Sequence, residues 1–473
     1  MNRLAARFAL RLIVAAALVG AAGTARGQNV PVELIPEADQ LGDQVEVIQG
    51  YYLPGEDPAE SMRLSFGIYD SGASVVTLSA FDQSFYQMFS SPVPIKVPGG
   101  AWAEGVGGDV RGDVSMPGAV VSDGMHAVTI DLNTLEFSYN LNMQAGGPGP
   151  KAAVVPGVQM FVGTSEGSES LPTISGTPIH RSEIHTNGAA VKINKLGYML
   201  DLGQMFPEVF HGVSVPYYLP DLEYVDSGTK LAPSADPTKI TAPIRVPLTL
   251  LGEDNHSNPG SGLTSAPNPF QRNVRLAMGT QSGSPQVSGQ TFLFDTGAMM
   301  SLISTNVANG LGLDPSHPAR TMEIAGASGT GLTVNGYDVA LIELPYDNGD
   351  GQPKGFLQLK NAPVFVLDIG AGIDGILGMN LFNTATEMLY DPFDPAGASL
   401  QLMFMTEHPG LEEIPPELLG SASFIGSPLY SLLVQSPSIP GVTPVPEPST
   451  LALLASLGLA ALAGQVWRKR RAR

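Results

Sequence analysis

One short phrase occurs twice in this chain and constrains its fold more than any other feature. Residues 66–79 read FGIYDSGASVVTLS, and residues 291–304 read TFLFDTGAMMSLIS. In each copy an apolar strand runs into Asp, a hydroxyl residue, Gly and Ala, and a second apolar strand follows. The repeat predicts two similar halves, each of which places one carboxylate, Asp70 or Asp295, at a sharp turn.

The residues that follow each Asp suit a carboxylate held close to the backbone. Gly72 and Gly297 have no Cβ, so backbone N–H groups can approach the carboxylates closely. The hydroxyl groups of Ser71 and Thr296 can hydrogen-bond across to the opposite loop. We therefore expect the two loops to face each other.

Two facing carboxylates form an acid and base pair. Like charges about 3 Å apart cannot both ionise easily, so such a pair shares one proton. One member can accept a proton from a bridging water while the other donates a proton to a substrate carbonyl. This chemistry requires no metal, no cofactor and no covalent intermediate.

The duplicated phrase resembles the catalytic loops of the aspartic peptidases, in which a later apolar-apolar-Gly segment packs beneath each loop. Residues 374–382 read DGILGMNLF and match that segment closely, whereas residues 172–178 read PTISGTP and match it loosely. The Ala after each Gly is more similar to retropepsins than to pepsin. The resemblance implies an all-β, two-lobed pepsin/retropepsin-like fold with the active-site cleft between the lobes. It also implies that Asp70 and Asp295 are catalytic. The supporting loop residues that it implies are Ser71, Gly72, Ala73, Thr296, Gly297 and Ala298.

The first copy departs further from the family pattern than the second. The second copy has Ser301 six residues after its Asp, where a hydroxyl is usual, but the first has Val76 there. Ser175 also occupies an apolar position of the first supporting segment. An alternative therefore stays open, in which the chain is an inactive surface protein that uses the same scaffold to bind matrix polymer or protein.

A Gly-rich segment, residues 96–118, follows the first loop and contains Trp102. In the aspartic peptidases a β-hairpin flap from this region covers the cleft, so Trp102 is a flap candidate that could lie over substrate. The alternative is a surface loop with one packed aromatic residue. Residues 323–345 are the counterpart in the second half, and we expect them to have a structural role.

Composition agrees with a folded, strand-rich protein. The 473 residues are 43% hydrophobic and 14% charged, and they include 55 Gly and 40 Pro, which suits many short strands joined by turns. The chain has no Cys, which excludes a Cys nucleophile and Cys-ligated zinc.

The charge of the chain excludes a nucleic-acid-binding role. The formal net charge is −20, although nine of the 24 basic residues lie in the two ends with a single acid, Glu447. The remainder holds 15 basic and 43 acidic residues, a net of −28. Such a surface repels nucleic acid.

The first 27 residues indicate a secretory signal peptide. Basic residues precede an apolar run, and small residues at Ala25 and Gly27 suit cleavage before Gln28. A membrane anchor is the alternative, but the apolar core is short and the small-residue site favours cleavage.

Residues 445–473 resemble the PEP-CTERM sorting signal. Pro446, Glu447 and Pro448 precede an apolar stretch from Leu451 to Trp467, and an Arg-rich end follows. The stretch is near the lower length for a transmembrane helix, and a plain single-span anchor is the alternative. The resemblance implies a Gram-negative bacterium, an exosortase-type partner that processes the tail, and a mature protein in the periplasm, at the cell surface or in the extracellular matrix.

These inferences divide the chain into five parts. They are a signal peptide (1–27), an N-terminal lobe (28–230), a C-terminal lobe (231–405), a Pro/Ser-rich spacer (406–444) and the sorting signal (445–473). Through the two resemblances the sequence predicts an exported, monomeric aspartic endopeptidase that acts on polypeptides. A third Asp-Ser-Gly at residues 226–228 lacks the flanking strands and predicts a turn. We expect His180 and His185 to be surface residues.

Overall fold

The computed structural model describes most of the two predicted lobes. The described residues are 29–36, 39–89, 91–105, 108–131, 136–146, 149–164, 171–194, 220–252, 261–325, 331–369 and 373–406. The predicted signal peptide, the sorting signal and all but the first residue of the spacer lie outside these ranges.

A first sheet of nine strands surrounds Asp70. Alternation of side chains sets its faces: in its first strand along the chain Val45 and Val47 are buried, and Glu46 between them is half-buried. In spatial order the strands are β10 (Ala153–Val158), β7 (Gly118–Gly124), β2 (Val45–Tyr52), β3 (Arg63–Tyr69), β12 (Ile174–Ser175), β4 (Thr77–Leu78), β11 (Phe161–Gly163), β6 (Gly108–Ser115) and β5 (Ile95–Gly105).

A second sheet of nine strands surrounds Asp295. Residues 292–294, which lead into this Asp, are all buried because both faces of the strand are covered. In spatial order the strands are β1 (Val30–Glu33), β22 (Gly355–Val366), β19 (Leu302–Ile303), β23 (Gly375–Leu377), β18 (Gln286–Phe294), β17 (Asn268–Ala277), β21 (Gly331–Tyr346) and β20 (Arg320–Ala325), with β16 (Thr249–Leu251) beside β17.

The two sheets repeat one topology around their Asp residues. In the first sheet β3 pairs in parallel with β12, which is antiparallel to β4, and β4 is parallel to β11. In the second sheet β18 is parallel to β23, β23 is antiparallel to β19, and β19 is parallel to β22. The repeated phrase of the sequence is therefore a repeated structural unit, which confirms the predicted β-rich, two-lobed fold class.

A five-stranded sheet contains strands from both halves of the chain. Its spatial order is β14 (Asp221–Asp226), β13 (Ala189–Asn194), β24 (Ala385–Asp391), β25 (Ser399–Phe404) and β15 (Ile244–Pro247). Strand β13 comes from the first half and pairs antiparallel with β24 from the second half, with Val191 opposite Tyr390. The two lobes are thus joined by main-chain hydrogen bonds. A separate ribbon pairs β8 (Val128–Asp131) with β9 (Glu136–Tyr139).

The helices in the described ranges are short. They are α1 (Pro58–Ser61), α2 (Ala80–Phe89) and α3 (Thr305–Gly310), with 3₁₀ turns η1 (Met125–Ala127), η2 (Thr177–Arg181) and η3 (Met379–Phe382). Ser304 ends the strand region and caps α3, because its hydroxyl accepts from the N–H of Val307 at 3.3 Å. Turns η2 and η3 each begin directly after the Gly of a supporting segment, Gly176 or Gly378.

The largest buried apolar cluster joins the lobes beneath the two loops. It includes Tyr69 and Ile179 from the first half together with Phe294 and Tyr390 from the second. The rings of Phe294 and Tyr390 have centroids 5.9 Å apart. The residues immediately before both Asp residues therefore belong to one shared core.

The start of the chain crosses to the second sheet. Residues Val30–Glu33 form β1, which runs parallel to β22 with Val30 opposite Leu357. A division at residue 230 thus assigns β1 to the first lobe although it pairs in the second sheet. The third Asp-Ser-Gly forms a turn after β14, where Ser227 and the N–H of Gly228 donate to Asp391.

In the ranges that the structure covers, no helix has both the length and the apolarity needed to cross a bilayer. The predicted span at residues 451–467 lies outside the described residues.

Candidate functional site: two facing aspartates

Each Asp lies at the end of a strand that its lobe's supporting segment holds from the side. The N–H of Asp70 donates to the carbonyl oxygen of Ser175 at 3.2 Å, and the N–H of Asp295 donates to that of Leu377 at 3.2 Å. The segments that the sequence placed beneath the loops therefore hydrogen-bond to the backbone of both Asp residues, including the loosely matching segment of the first lobe.

Backbone donors converge on one oxygen of each carboxylate. Oδ1 of Asp70 accepts from the N–H groups of Gly72 at 2.7 Å and Ala73 at 3.0 Å. In the second loop Oδ1 of Asp295 accepts from the N–H groups two and three residues later, at 2.9 and 3.1 Å. The second oxygen of each carboxylate makes neither of these bonds, so the local geometry orients each side chain in the same way.

The two loops are in direct contact. A Cβ on Gly72 would overlap the carboxylate of Asp295, and a Cβ on Gly297 would overlap that of Asp70. Asp70 is also close enough to hydrogen-bond to Asp295. Glycine is therefore required at both positions because the opposing carboxylate occupies the space that a side chain would need.

The hydroxyl residues of the two loops exchange hydrogen bonds. Thr296 Oγ1 accepts from the N–H of Ser71 at 3.0 Å and donates to the carbonyl of Tyr69 at 3.0 Å. Ser71 Oγ accepts from the N–H of Thr296 at 3.1 Å and donates to the carbonyl of Phe294 at 3.0 Å. Both hydroxyl residues are fully buried, so these four bonds are shielded from water.

The pKa values of both carboxyl groups are raised by burial, although two backbone N–H donors on each carboxylate oppose that increase. Burial raises the pKa of Asp70 well above its ordinary value, and the adjacent Asp295 raises that pKa further. Burial also raises the pKa of Asp295, but a hydrogen bond from Asp70 and two backbone N–H donors oppose that increase. Because the two carboxyl groups are buried next to each other, the pair retains a proton at a higher pH than an isolated Asp does.

The supports beneath the loops are chemically different in the two lobes. In the second lobe Ser301 Oγ donates to Asn380 Oδ1 at 2.8 Å and accepts from the N–H of Gly378 at 2.9 Å. In the first lobe buried Ser175 donates to Gln49 Oε1 at 2.8 Å. Ser175, the polar residue that departs from the family pattern, therefore has a buried hydrogen-bond partner on β2, on the far side of β3 in the same sheet.

Sequence analysis missed four residues of this site: Gln44, Gln49, Asn268 and Asn380. Asn380 follows the supporting Gly in the DGILGMNLF segment, which is a signal that could have identified it. Gln49 and Asn268 lie on strands and Gln44 directly precedes one, and all three are remote in sequence from the residues they contact, so no local pattern indicates their roles.

Trp102 lies in a hairpin that follows the first loop in the chain. Strands β5 and β6 pair antiparallel, with Trp102 opposite Arg111, and the Trp side chain is half-buried. The second lobe has a corresponding hairpin of β20 and β21, in which Tyr337 is buried and donates to the carbonyl of Asp314 at 2.9 Å. A lid role for Trp102 stays a prediction.

The prediction that His180 and His185 lie at the surface is wrong. Their exposed fractions are 1% and 5%. Nδ1 of His180 donates to the carbonyl of Ala189 at 2.7 Å, so its Nε2 accepts from the hydroxyl of Tyr69 at 2.7 Å. Burial lowers the pKa of His180 to about 4. These two hydrogen bonds satisfy both ring nitrogens of His180 in the core between the lobes. The sequence around His180 is polar and gave no sign of this burial.

Comparison with known proteins agrees with this geometry. Residues 277–381, which contain the Asp295 loop and its supporting segment, match the family model described as aspartyl protease. The chain is aspartic-protease-like. Residues 444–471 match the PEP-CTERM protein-sorting motif, which confirms the predicted sorting signal and indicates export in a Gram-negative bacterium. No functionally curated protein matches the chain.

Similar solved structures include three that are distant in sequence. An aspartic proteinase from Irpex lacteus is 12% identical, with 77% of this chain and 97% of that chain covered and a TM-score of 0.37. The protein named edgp is 9% identical, with 76% and 94% covered and a TM-score of 0.36. A retropepsin-like aspartic protease from Rickettsia conorii is 16% identical, with 38% and 99% covered and a TM-score of 0.20.

Proposed function

We propose that this aspartic-protease-like protein is an exported endopeptidase that hydrolyses peptide bonds through a water held between Asp70 and Asp295. The observation that carries the proposal is the contact of two equivalent, oppositely facing loops, which brings the two carboxyl groups within hydrogen-bonding distance.

A single proton on the pair gives its two members different roles, and we assign the proton to Asp70. Asp295, ionised, accepts a proton from the water as the water oxygen attacks the peptide carbonyl carbon. Asp70, protonated, donates its proton to the carbonyl oxygen, so the tetrahedral intermediate is itself neutral and the single negative charge of the pair moves from Asp295 to Asp70. Asp295 then donates the proton it took from the water to the leaving nitrogen, Asp70 takes a proton back from a hydroxyl of the intermediate, and the C–N bond breaks to give an amine and a carboxylic acid. The crossed Ser71 and Thr296 hydroxyl groups keep the two loops in contact throughout.

An extended polypeptide is the substrate that suits this arrangement. The hairpins β5–β6 and β20–β21 extend from the two lobes and present main-chain groups that can pair with an extended chain. The apolar residues near the loops, among them Val75 in the first lobe and Met300 in the second, belong to two smaller clusters. From the resemblance to the aspartic peptidases we expect apolar side chains beside the bond that is cleaved.

The two ends of the chain suit delivery of this activity outside the cytoplasm. We assign residues 1–27 to a cleaved signal peptide and the PEP-CTERM segment to processing by an exosortase-type enzyme. The spacer before that segment would hold the two lobes away from the membrane until processing is complete.

Proteolysis of a denatured, unlabelled protein from acidic to neutral pH tests the proposal directly. We expect Asp70→Asn and Asp295→Asn each to reduce the cleavage rate by about a thousandfold, because each removes one partner of the acid and base pair. Asp226→Asn alters the third Asp-Ser-Gly and is a matched control that should cleave at the normal rate.

Two results would contradict the proposal. Equal cleavage by Asp295→Asn and the unaltered protein would assign the activity to a contaminant or another site. A folded, unaltered protein that cleaves nothing across this pH range would instead favour a scaffold that binds matrix polymer or protein.

A further inference from the structure

Two side-chain amides reach across the lobes to the loops from outside the Asp-Ser/Thr-Gly triplets. Gln44 Nε2 donates to the carbonyl oxygen of Gly297 at 2.5 Å. Asn268 Nδ2 donates to the carbonyl oxygen of Gly72 and lies 3.3 Å from that of Ser71. Each donor belongs to one lobe, and each acceptor belongs to the loop of the other lobe.

Gln44 and Asn268 occupy equivalent positions. Val45 pairs with Tyr69, so Gln44 lies beside the position of Asp70. Phe270 pairs with Leu293, which places Asn268 beside the position of Asp295 in the same way. The structure therefore contains the same cross-lobe contact twice. The two side chains differ in length, since Gln is one methylene longer than Asn, and their neighbours in the sequence also differ.

The acceptors are the residues that determine how closely the lobes approach. Gly72 and Gly297 are the points at which each loop touches the opposite carboxylate, so a shift of either Gly changes the distance between the two Asp side chains. The crossed hydroxyl groups hold the residue before each Gly. The two amides hold the carbonyl of each Gly itself.

A neutral amide is a suitable donor at this place. An Arg or Lys here would put a positive charge beside the pair and lower the pKa of both carboxyl groups, and so weaken the sharing of one proton. A Glu or Asp would add a third acid that must itself be protonated before it could donate. Asn and Gln donate at every pH at which the pair titrates.

We propose that Gln44 and Asn268 are positioning residues that set the separation of the Asp70 and Asp295 carboxyl groups and keep them coupled. The inference rests on the proposed peptidase function, and it adds that the coupling depends on two amides outside both motifs. The amides act through the carbonyl groups of Gly297 and Gly72, and not on the substrate.

Gln44→Met and Asn268→Leu remove the donors at nearly constant volume, and Gln352→Met, in an exposed turn, is the matched control. We expect kcat for a peptide substrate to fall about 10- to 100-fold with KM within about threefold, since small misplacement of catalytic groups costs rate. The alkaline limb of the pH profile should move about one unit lower, because an uncoupled Asp70 loses its proton more easily. Gln44→Asn, which keeps the amide but shortens its reach, is a milder variant with the same expected directions.

Titration of ¹³C-labelled Asp side chains by NMR gives a readout that does not require turnover. A lower pKa for Asp70 in Gln44→Met than in the unaltered protein supports the inference even if the unaltered protein cleaves nothing, in which case only the proposed function fails. Variants whose kcat, pH profile and Asp titrations match those of the unaltered protein overturn it. That conclusion holds even if their melting temperatures fall, because the amides would then stabilise the fold without positioning the pair.

Discussion

At the scale of single residues, the chain buries several titratable groups, and specific neighbours shift the pKa of each. Burial raises the pKa values of Asp70 and Asp295, and each carboxylate lies against the Gly of the opposite loop. His180, behind Tyr69 in the same core, is held neutral by one acceptor and one donor. Since Tyr69 precedes Asp70, protonation of His180 would disturb the residue that positions the first loop.

The lowered pKa of His180 predicts a loss of stability in acid. Its pKa of about 4 in the folded protein lies below the value of about 6.5 for an exposed His. As the pH falls through this interval, the unfolded chain binds the proton first, so up to about 3 kcal/mol of the free energy of unfolding is lost between these pH values. Chemical denaturation at several pH values should show a steeper decline for the unaltered protein than for His180→Gln. Parallel declines would mean that His180 is already charged in the folded state.

Site residues whose role is set by their immediate neighbours in the chain could be predicted from the sequence. Site residues whose role is set by contacts with distant segments could not. Asp70 and Asp295 were identified because an apolar strand, a carboxylate and a Gly are adjacent in the chain. Gln44 and Asn268 were missed because each contacts the opposite lobe. His180 was misplaced because its burial depends on Tyr69 and Ala189, whose proximity only the folded chain establishes.

At the scale of secondary-structure elements, both loops depend on close packing of a supporting strand. A Cβ on Gly176 would overlap the carbonyl of Val75, and one on Gly378 would overlap that of Met300. Neither Gly is required for a left-handed conformation here, because the caps that they form are extended. The sequence predicted these segments by resemblance, and the structure shows the steric reason for the Gly in each.

We therefore expect Gly176→Ala and Gly378→Ala each to destabilise the fold by about 1–3 kcal/mol, as overpacking does, and to lower kcat by displacing the adjacent Asp loop. Gly397→Ala is a useful control because Gly397 has a φ of 98° and open space around its Cα. It should cost about 1 kcal/mol from backbone strain and leave kcat unchanged. Thermal melting and peptide kinetics on the three variants separate these effects. Normal kcat in both supporting-strand variants would contradict the link between this packing and the loops.

At the scale of the whole molecule, the two halves are more interdependent than the repeated sequence suggested. The repeat predicted two lobes, and each lobe has its own sheet. However, β1 pairs with the second sheet, and β13 joins β24 in the sheet shared by both lobes. These pairings connect strands far apart in the sequence. The residues of β1 and β13 contain no local pattern from which their partner strands could be predicted.

This exchange of strands predicts that the two lobes unfold together. Separating them would expose both the shared core around Tyr69 and Phe294 and the unpaired edges of β13 and β24, so neither half should be stable alone. We expect a single calorimetric transition whose measured and van't Hoff enthalpies agree, and we expect residues 231–406 expressed alone to lack a cooperative transition. Coexpression with residues 28–230 should restore that transition. Two separate transitions in the intact protein, or a folded isolated half, would show that each lobe holds its Asp loop independently. The contact between the carboxyl groups would then depend on hydrogen bonds between the lobes, among them those of Ser71, Thr296, Gln44 and Asn268.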